Sequence, residues 1–339
     1  MELNHVMRVY YQKHANPGFL QNKNILVLGY GNQGKAFANN LRDSGFEPTI
    51  CLHSGSKSKT KAVDDGFAVI TPSRINSDYE LILFMIPDHI QADFYEKYLE
   101  SKTGPGTALV FAHGYAVYFR LLHPPQDCDV VLLAPHGPGS DLRRLYLDDD
   151  GLSGYVAVEQ DFSGNALKLA LALARAVGIT RRGAFLTSFE HETLGDLFGE
   201  QALLCGGLSE LCRRSFDTLV DAGLPKENAY LETIHQIDLL AGLIKRYGVT
   251  GMMEKISTTA GYGISYSRPV IFDRKFDNNL KRLYSEIDSG KFTRSWQAEY
   301  RNGSQNLKRY KREVKESEME KTGRKLRKKL SGNKTGGSK

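Results

Sequence analysis

Cysteine is scarce, with only Cys51, Cys128, Cys205 and Cys212 in 339 residues, and none of the four shows metal or redox spacing. They read as reduced thiols in a reducing compartment, which excludes a disulfide framework and predicts a cytoplasmic protein. Long apolar runs are also missing. None exceeds "LILFMIP" (81–87), far below the roughly 20 residues a membrane-spanning helix needs. The opening "MELNHVMRVYYQKHANPGF" holds no apolar core of the signal-peptide kind, so no secretory leader is expected there. There is no internal repeat and no long Pro-rich linker. Lys and Arg are absent between Arg182 and Arg213, a gap that bears on the chemistry below.

What charge there is sits unevenly. From Leu307 to Lys339 the chain has 13 Lys/Arg and 4 Asp/Glu, +9 against +6 for the whole, so the body is mildly acidic. A nucleic-acid surface would set such a tail beside base-stacking aromatics, and it contains only Tyr310. Nucleic acid is therefore not the expected partner. The tail reads as a solvated C-terminal helix that frays into "SGNKTGGSK".

With 41% hydrophobic and 25% charged residues, the chain has the composition and length of a two-domain globular protein. In the first half, short apolar strands ("NILVLG", "PTICL", "ELILFMIP", "ALVFAHG", "DVVLLAPHGPG", "YVAVEQD", "AFLTSF") alternate with helical stretches. That alternation predicts a doubly wound, mainly parallel α/β sheet of the Rossmann type over residues 1–189. After Glu190 the pattern turns to helical period throughout, which predicts an all-helical domain over 190–330 and a disordered basic tail over 331–339.

"GYGNQG" follows the first of these strands and opens a helix, the context a G-x-G-x-x-G dinucleotide fingerprint requires. Gly29 allows the tight turn, Gly31 lets backbone approach the pyrophosphate, and Gly34 lets helix and strand pack. Tyr30, Asn32 and Gln33 complete the loop, and the helix N-terminus faces the phosphates. NAD sites usually carry an acid at the end of the second strand. Here that place reads "CLHSGSKSK", with His53, Ser54, Ser56, Lys57 and Ser58 as donors and cations, which suits the 2′-phosphate of NADPH.

In "GDLFGEQALLCGG" (195–207), Asp196 and Glu200 stand one helical turn apart among apolar residues, with no local cation, and Glu192 extends the same face one turn earlier. Like charges so placed repel, and burying them unpaired is costly. Two resolutions stay open: a solvated helix face, or a divalent cation of the Mg²⁺ or Mn²⁺ kind. A second helix offers Glu232, with His235 and Gln236 on the following turn.

Taken together, "VYYQKHANPGFLQNKNILVLGYGNQG", "GSKS", "AHGY", "QDFSGNA", "DLFGEQALLCGG", "ISTTAGYG" and the terminal "GRKLRKKL" resemble the ketol-acid reductoisomerases, in their short, class I form, over nearly the whole chain. The resemblance implies an NADPH enzyme with two Mg²⁺ ions. The ions chelate 2-acetolactate or 2-aceto-2-hydroxybutyrate, an alkyl group migrates between adjacent carbons, and hydride reduces the new ketone. It implies Asp196 as bridging metal ligand, Glu200 as second carboxylate and Glu232 as the acid of the next helix. It also implies Ser257 as partner of the substrate carboxylate and His113 as the histidine near nicotinamide and metals. Ser56 and Ser58 fall on the 2′-phosphate loop, where His53 replaces an arginine. A homodimer or higher homo-oligomer is expected.

Three positions depart from the family pattern. "APHGPG" has His136 in place of an active-site lysine, Gln236 stands where a second glutamate is usual, and Gly261 replaces an acid in "TAGYG". The first two changes cancel in net charge, but they exchange a permanent cation for a mostly neutral imidazole. Three readings follow. The chain is an authentic reductoisomerase, a relative that reduces another 2-keto acid or related carbonyl without migration, or a catalytically silent binding homologue. Retention of the fingerprint, Asp196, Glu200, Glu232 and Ser257 counts against the third.

Overall fold

A computed structural model describes residues 7–331, so the 332–339 portion of the expected disordered tail lies outside the described residues. The chain divides into two compact units, 1–195 and 196–339.

The first unit is built on strands β1 Val9–Tyr10, β2 Ile25–Leu28, β3 Thr49–Cys51, β4 Val69–Ile70, β5 Leu81–Phe84, β6 Ala108–Phe111, β7 Asp129–Pro135, β8 Gly154–Gln160 and β9 Ala184–Leu186. Between them run α1 Asn32–Asp43, α2 Lys59–Asp64, α3 Asp88–Tyr98, α4 Tyr115–Tyr118, α5 Gly139–Leu147 and α6 Ala166–Ala176, and α7 Phe189–Gly199 follows β9. The nine strands form one sheet in the order β1-β9-β8-β7-β6-β5-β2-β3-β4. From β4 to β7 all pairs are parallel, and this order is the 3-2-1-4-5-6 of dinucleotide-binding sheets, with its reversal between β2 and β5. Two pairs are antiparallel, β7 with β8 and β1 with β9. The sheet is therefore mixed at that edge, which hydrophobic alternation cannot show because a strand's pattern carries no direction.

Strands buried on both faces need continuous apolar runs, and "ILVL", "LILF" and "ALVF" are fully buried. Their alternate side chains feed two cores. Val27, Leu83, Val110 and Val131 pack with Phe37, Leu41 and Leu173 on one face, while Leu28, Phe84, Phe111 and Leu132 pack with Tyr95 and Phe189 on the other. Helix α1 ends in a Schellman motif. Gly45 has φ +88°, Phe46 N–H donates to Leu41 O at 3.0 Å and Gly45 N–H to Arg42 O at 2.9 Å. The "QDFSGNA" segment joins β8 to α6. Ser163 donates through N–H and Oγ to buried Asp129, and Asp161 accepts from Ala166 N–H at the start of α6.

In the second unit, a π-helical segment Glu200–Leu204 precedes α8 Gly206–Asp221 and α9 Lys226–Thr233. Then come α10 Ile237–Met253, α11 Thr258–Ile271, α12 Arg274–Asp288, α13 Lys291–Arg301, α14 Gln305–Glu316 and α15 Glu318–Ser331. The described part of the unit is helical, as expected. The terminal "GRKLRKKL" is not merely a solvated helix. Thr322, Gly323 and Leu326 of α15 are buried, and Leu326 joins Phe216, Ala229 and Tyr230 in a core. Lys226 pairs with Glu318 at 2.7 Å, and Arg327 Nη1 donates to Tyr230 Oη at 3.0 Å. One face of α15 is docked, and its cations lie on the rest.

The docking depends on the absence of a side chain at 323, because a Cβ there would enter the Tyr230 ring. Gly323→Ala should therefore destabilise the helical unit by about 1–3 kcal/mol through overpacking, read as a lower urea midpoint. An unchanged midpoint would mean that α15 does not seat on Tyr230.

Candidate functional site

The nucleotide fingerprint lies at the carboxyl end of β2, at the point where strand order reverses. Its glycines do three separate jobs. Gly29 has φ +96°, and a Cβ on it would stand 2.8 Å from Met85 O at the end of β5. A Cβ on Gly34 would run into the Gly29 carbonyl, so α1 reaches β2 only with glycine there. Gly31, the N-cap of α1, has nothing within 4 Å of a Cβ. Among the described residues no neighbour demands glycine at 31, whereas a pyrophosphate lying against the helix N-terminus does, so the cradle fits a dinucleotide.

The other loop residues behave differently from one another. Asn32 is exposed at the first turn of α1. Tyr30 is buried, so its side chain is not open to a nucleotide. Its hydroxyl donates to Asp65 Oδ2 at 2.7 Å and accepts from Asn39 Nδ2 at 3.0 Å. Burial, and then Asp65, push the phenol well above its usual range. Lys35, 2.8 Å from Asp65, and then Tyr30 hold the Asp65 carboxyl below the usual carboxylate range. Gln33 turns its amide to Gly137, with Nε2 donating to Gly137 O at 3.0 Å.

The loop after β3 presents His53, Ser54 and Lys57 to solvent, with Ser56 and Ser58 half-buried. It is shaped by Ser56 N–H donating to His53 O at 3.0 Å and by Ser58 N–H donating to Ser56 Oγ at 3.3 Å. Asp65, the C-cap of α2, is occupied by Lys35 and Tyr30. The loop therefore offers donors and a cation to the nucleotide ribose and no carboxylate.

His113 follows β6 and His136 follows β7, both at the carboxyl ends of parallel strands. His113 is fixed by a residue that sequence spacing had placed only on an acidic helix face. Glu192 of α7 is 4% exposed, and its carboxylate lies 3.0 and 3.1 Å from His113 Nδ1. It also accepts from Gly114 N–H at 2.8 Å. Gly114 has to be glycine, since a Cβ would strike Thr193 Oγ1 on the same helix. An ionised carboxylate only accepts, so Nδ1–H is the donor of this pair and Nε2 is the ring nitrogen turned away from Glu192. No sequence signal distinguishes Glu192 from Asp196, because the difference lies in what packs over each.

His136 Nδ1 and Ser153 Oγ lie 3.0 Å apart, and His136 N–H donates to Ser153 O at 2.8 Å. The ring meets Tyr155 edge-on at 4.3 Å and Phe185 at 6.0 Å, with its outer edge open. Burial against these rings lowers its pKa below the usual histidine value, and the Glu192 charge opposes that only in part. At neutral pH the position is uncharged.

In the helical unit, Asp196 and Glu200 are exposed. Glu200 opens the π segment, in which Cys205 N–H donates to Glu200 O at 2.9 Å. The bulge carries the Gln201 and Ala202 carbonyls against Gly206 and Gly207, where a Cβ would collide with them, which explains "CGG". Glu232 lies exposed on α9. Among the described residues no three His, Cys, Asp or Glu side chains cluster closely enough to hold a metal ion, so Glu232 is not gathered with Asp196 and Glu200. Two carboxylates of hard oxygen still fit Mg²⁺, which commonly takes one or two protein carboxylates and fills its octahedron with water and substrate.

The expected i, i+4 relation of Glu232 and Gln236 does not hold. Helix α9 stops at Thr233, and Gln236 is the N-cap of α10. Its Nε2 donates to Leu231 O at 3.2 Å, a bond that a carboxylate cannot make. Ser257 caps α11, with Oγ accepting from Ala260 N–H at 3.1 Å. Its O–H remains a donor at a helix N-terminus, a suitable place for a substrate carboxylate. A cavity of about 200 Å³ among Phe19, Lys23, Thr107, Asp129, Phe162 and Leu169 lies at the opposite, amino ends of β6 and β7 and holds none of these residues.

Glu192→Gln offers one acceptor oxygen where the carboxylate serves His113, Gly114 and Thr193, and it presents an N–H to His113 Nδ1. Leaving a buried donor unpaired costs about 1–3 kcal/mol, so turnover should fall about tenfold to a hundredfold. Affinity for a nicotinamide dinucleotide by fluorescence titration should hold. Unchanged turnover would mean that the orientation of His113 is immaterial.

Two family models match the chain. The acetohydroxy acid isomeroreductase NADPH-binding domain covers residues 19–183, and the ketol-acid reductoisomerase C-terminal domain covers 189–331. Among solved structures, an NADH-preferring ketol-acid reductoisomerase from an uncultured archean is 37% identical, with a TM-score of 0.91 over 95% of this chain and 99% of its own. More remote structures share the fold alone. One is a semialdehyde dehydrogenase NAD-binding protein from Cupriavidus necator, 20% identical, TM-score 0.58, covering 78% of this chain and 100% of its own. Another is a pyrroline-5-carboxylate reductase from Coxiella burnetii, 16% identical, TM-score 0.55, covering 79% and 98%. Among the described residues no helix is long and apolar enough to cross a membrane. With both halves matched and a relative aligned over nearly its full length, the chain belongs to the ketol-acid reductoisomerase family and is an NAD(P)-dependent oxidoreductase.

Proposed function

We propose that this chain converts 2-acetolactate and 2-aceto-2-hydroxybutyrate to 2,3-dihydroxy acids in branched-chain amino acid biosynthesis, using NADPH and Mg²⁺. The observation that carries the reading is the buried Glu192 carboxylate, spent on fixing His113 at the nucleotide end of the sheet, one turn ahead of Asp196 on the same helix. When bound, NADPH supplies the hydride, and Mg²⁺ supplies a Lewis acid for the substrate oxygens. The chain's own groups do the rest. Asp196 and Glu200 would hold the metal, and Ser257 at the α11 N-terminus would hold the substrate carboxylate. His113 Nε2 would take up and return the proton of the substrate hydroxyl, its ring fixed by Glu192.

NADPH rather than NADH is supported by the loop at His53, Ser56, Lys57 and Ser58 and by the engagement of Asp65 elsewhere. The similar archaeal enzyme is NADH-preferring, so the preference here rests on this chain's own loop. Association with a second copy is supported by the helical unit, where Leu203, Leu204, Leu239, Tyr262 and Val270 are all more than 60% exposed.

The neutral ring of His136 favours a second reading, in which reduction outruns migration. Alkyl migration develops charge on the substrate, and a neutral ring stabilises it less than a lysine does. Gln236, used as a helix cap, is a structural substitution rather than half of a charge pair.

Purified enzyme with NADPH and Mg²⁺ should convert 2-acetolactate, and Asp196→Asn or EDTA should abolish turnover while NADPH still binds. NADPH should bind more tightly than NADH; equal or tighter binding of NADH would reduce the His53–Ser58 loop to a solvated turn. Activity surviving both Asp196→Asn and EDTA would remove the metal. The ratio of acetolactate conversion to reduction of 3-hydroxy-3-methyl-2-oxobutyrate should stay level across neutral pH and rise only as pH falls below the usual histidine range, because burial lowers the pKa of the imidazole and it gains its charge only below that pKa. Glu192 and Tyr155 are the titratable groups facing it, and His136→Lys should flatten the ratio. Equal rates for both substrates at neutral pH would end the second reading.

A further inference from the structure

Helix α1 and helix α5 are joined along their length. Arg143 donates to Asn40 Oδ1 at 2.8 Å and pairs with Asp43 at 2.6 Å, while Ser44 Oγ lies 2.8 Å from Tyr146 Oη. At their first turns they touch closely enough that a Cβ on Gly139 would collide with Asn32 O. The loop that carries His136 runs from the end of β7 into this junction. Its outer strut is Gln33, whose Nε2 donates to Gly137 O, next to His136. The inner strut is Ser153, bonded to both the N–H and the ring of His136.

Gln33 makes this bond at a cost, because its Oε1 is shut away from solvent without a partner. The amide orientation follows from the bond, since the Gly137 carbonyl requires a donor. A side chain in the glycine fingerprint is thus held across 104 residues of sequence by the loop of a histidine, with one polar atom left unsatisfied.

We propose that Gln33 is a positioning residue for His136, so that nucleotide binding at the first turn of α1 sets the imidazole through the Gln33–Gly137 bond. For its effect on turnover, this rests on the reading of His136 given above. The pyrophosphate would order the first turn of α1, which includes Gln33. Gln33 then fixes the Gly137 peptide, and the ring, held on the far side by Ser153 and Tyr155, takes one setting.

The test is Gln33→Leu, which removes the donor and keeps the bulk, with Gln33→Met as a second variant should the first fold poorly. Three quantities are read: NADPH affinity by fluorescence, the nitrogen-15 NMR signal of the His136 ring (identified by its loss in His136→Ala), and turnover of acetolactate. In the wild type NADPH should shift the ring signal, and in Gln33→Leu it should not. Affinity should stay within about twofold while turnover falls about tenfold, and in the His136→Ala background the same change should cost less than about twofold. A ring signal that ignores NADPH in the wild type, or that shifts equally in the variant, overturns the proposal. So does a loss of turnover matched by the loss of affinity, or undiminished in His136→Ala. If acetolactate is not a substrate but the NMR difference stands, the functional reading fails and the positioning role survives.

Discussion

A buried carboxylate with three donors on it organises the nucleotide end of the first unit. Glu192 takes Gly114 N–H and His113 Nδ1 together, and so binds the loop after β6 to α7. An acid can be buried in this way only when its oxygens are occupied, and the close approach that occupies them requires glycine at 114. The consequences run along the helix. Glu192 is buried against the loop after β6, whereas Asp196, a turn later on the same face, is exposed. Two acids four residues apart on one helix therefore differ in their surroundings: Glu192 is spent on a histidine, whereas Asp196 is exposed.

The same economy governs the fingerprint. Gly31 and Asn32 at the helix N-terminus are exposed, while its other side chains are engaged within the fold. Tyr30 is taken by Asp65 and Asn39, Gln33 by Gly137, and Lys35 by Asp65. The motif is a structural junction as much as a binding loop, joining β2, α2 and α5. Substitutions at Tyr30 or Gln33 would disturb the elements around the site before they touched any ligand.

Much of this was legible in the sequence. Continuous apolar strands and the context of "GYGNQG" predicted the sheet and its fingerprint, because burial on both faces and a helix opening at a glycine turn leave local marks. Strand direction leaves none, and the antiparallel β8 went unseen. The break after Thr233 and the π segment at Glu200 were hidden for a related reason. Both keep a nearly helical hydrophobic period, and they are set by capping bonds from Gln236 and by the room at Gly206 and Gly207. The roles of Glu192 and Gln33 depend on partners 78 to 104 residues away, which no window of sequence contains.

The central claim is that this chain moves an alkyl group as well as a hydride. The most direct measurement follows a carbon-13 label in the methyl group on C2 of 2-acetolactate, incubated with enzyme, NADPH and Mg²⁺, with the product read by NMR. Migration places the label in one of two methyl groups on C3 of 2,3-dihydroxy-3-methylbutanoate, which is the result expected. Label kept on C2, in 2,3-dihydroxy-2-methylbutanoate, would show reduction without migration and contradict the account.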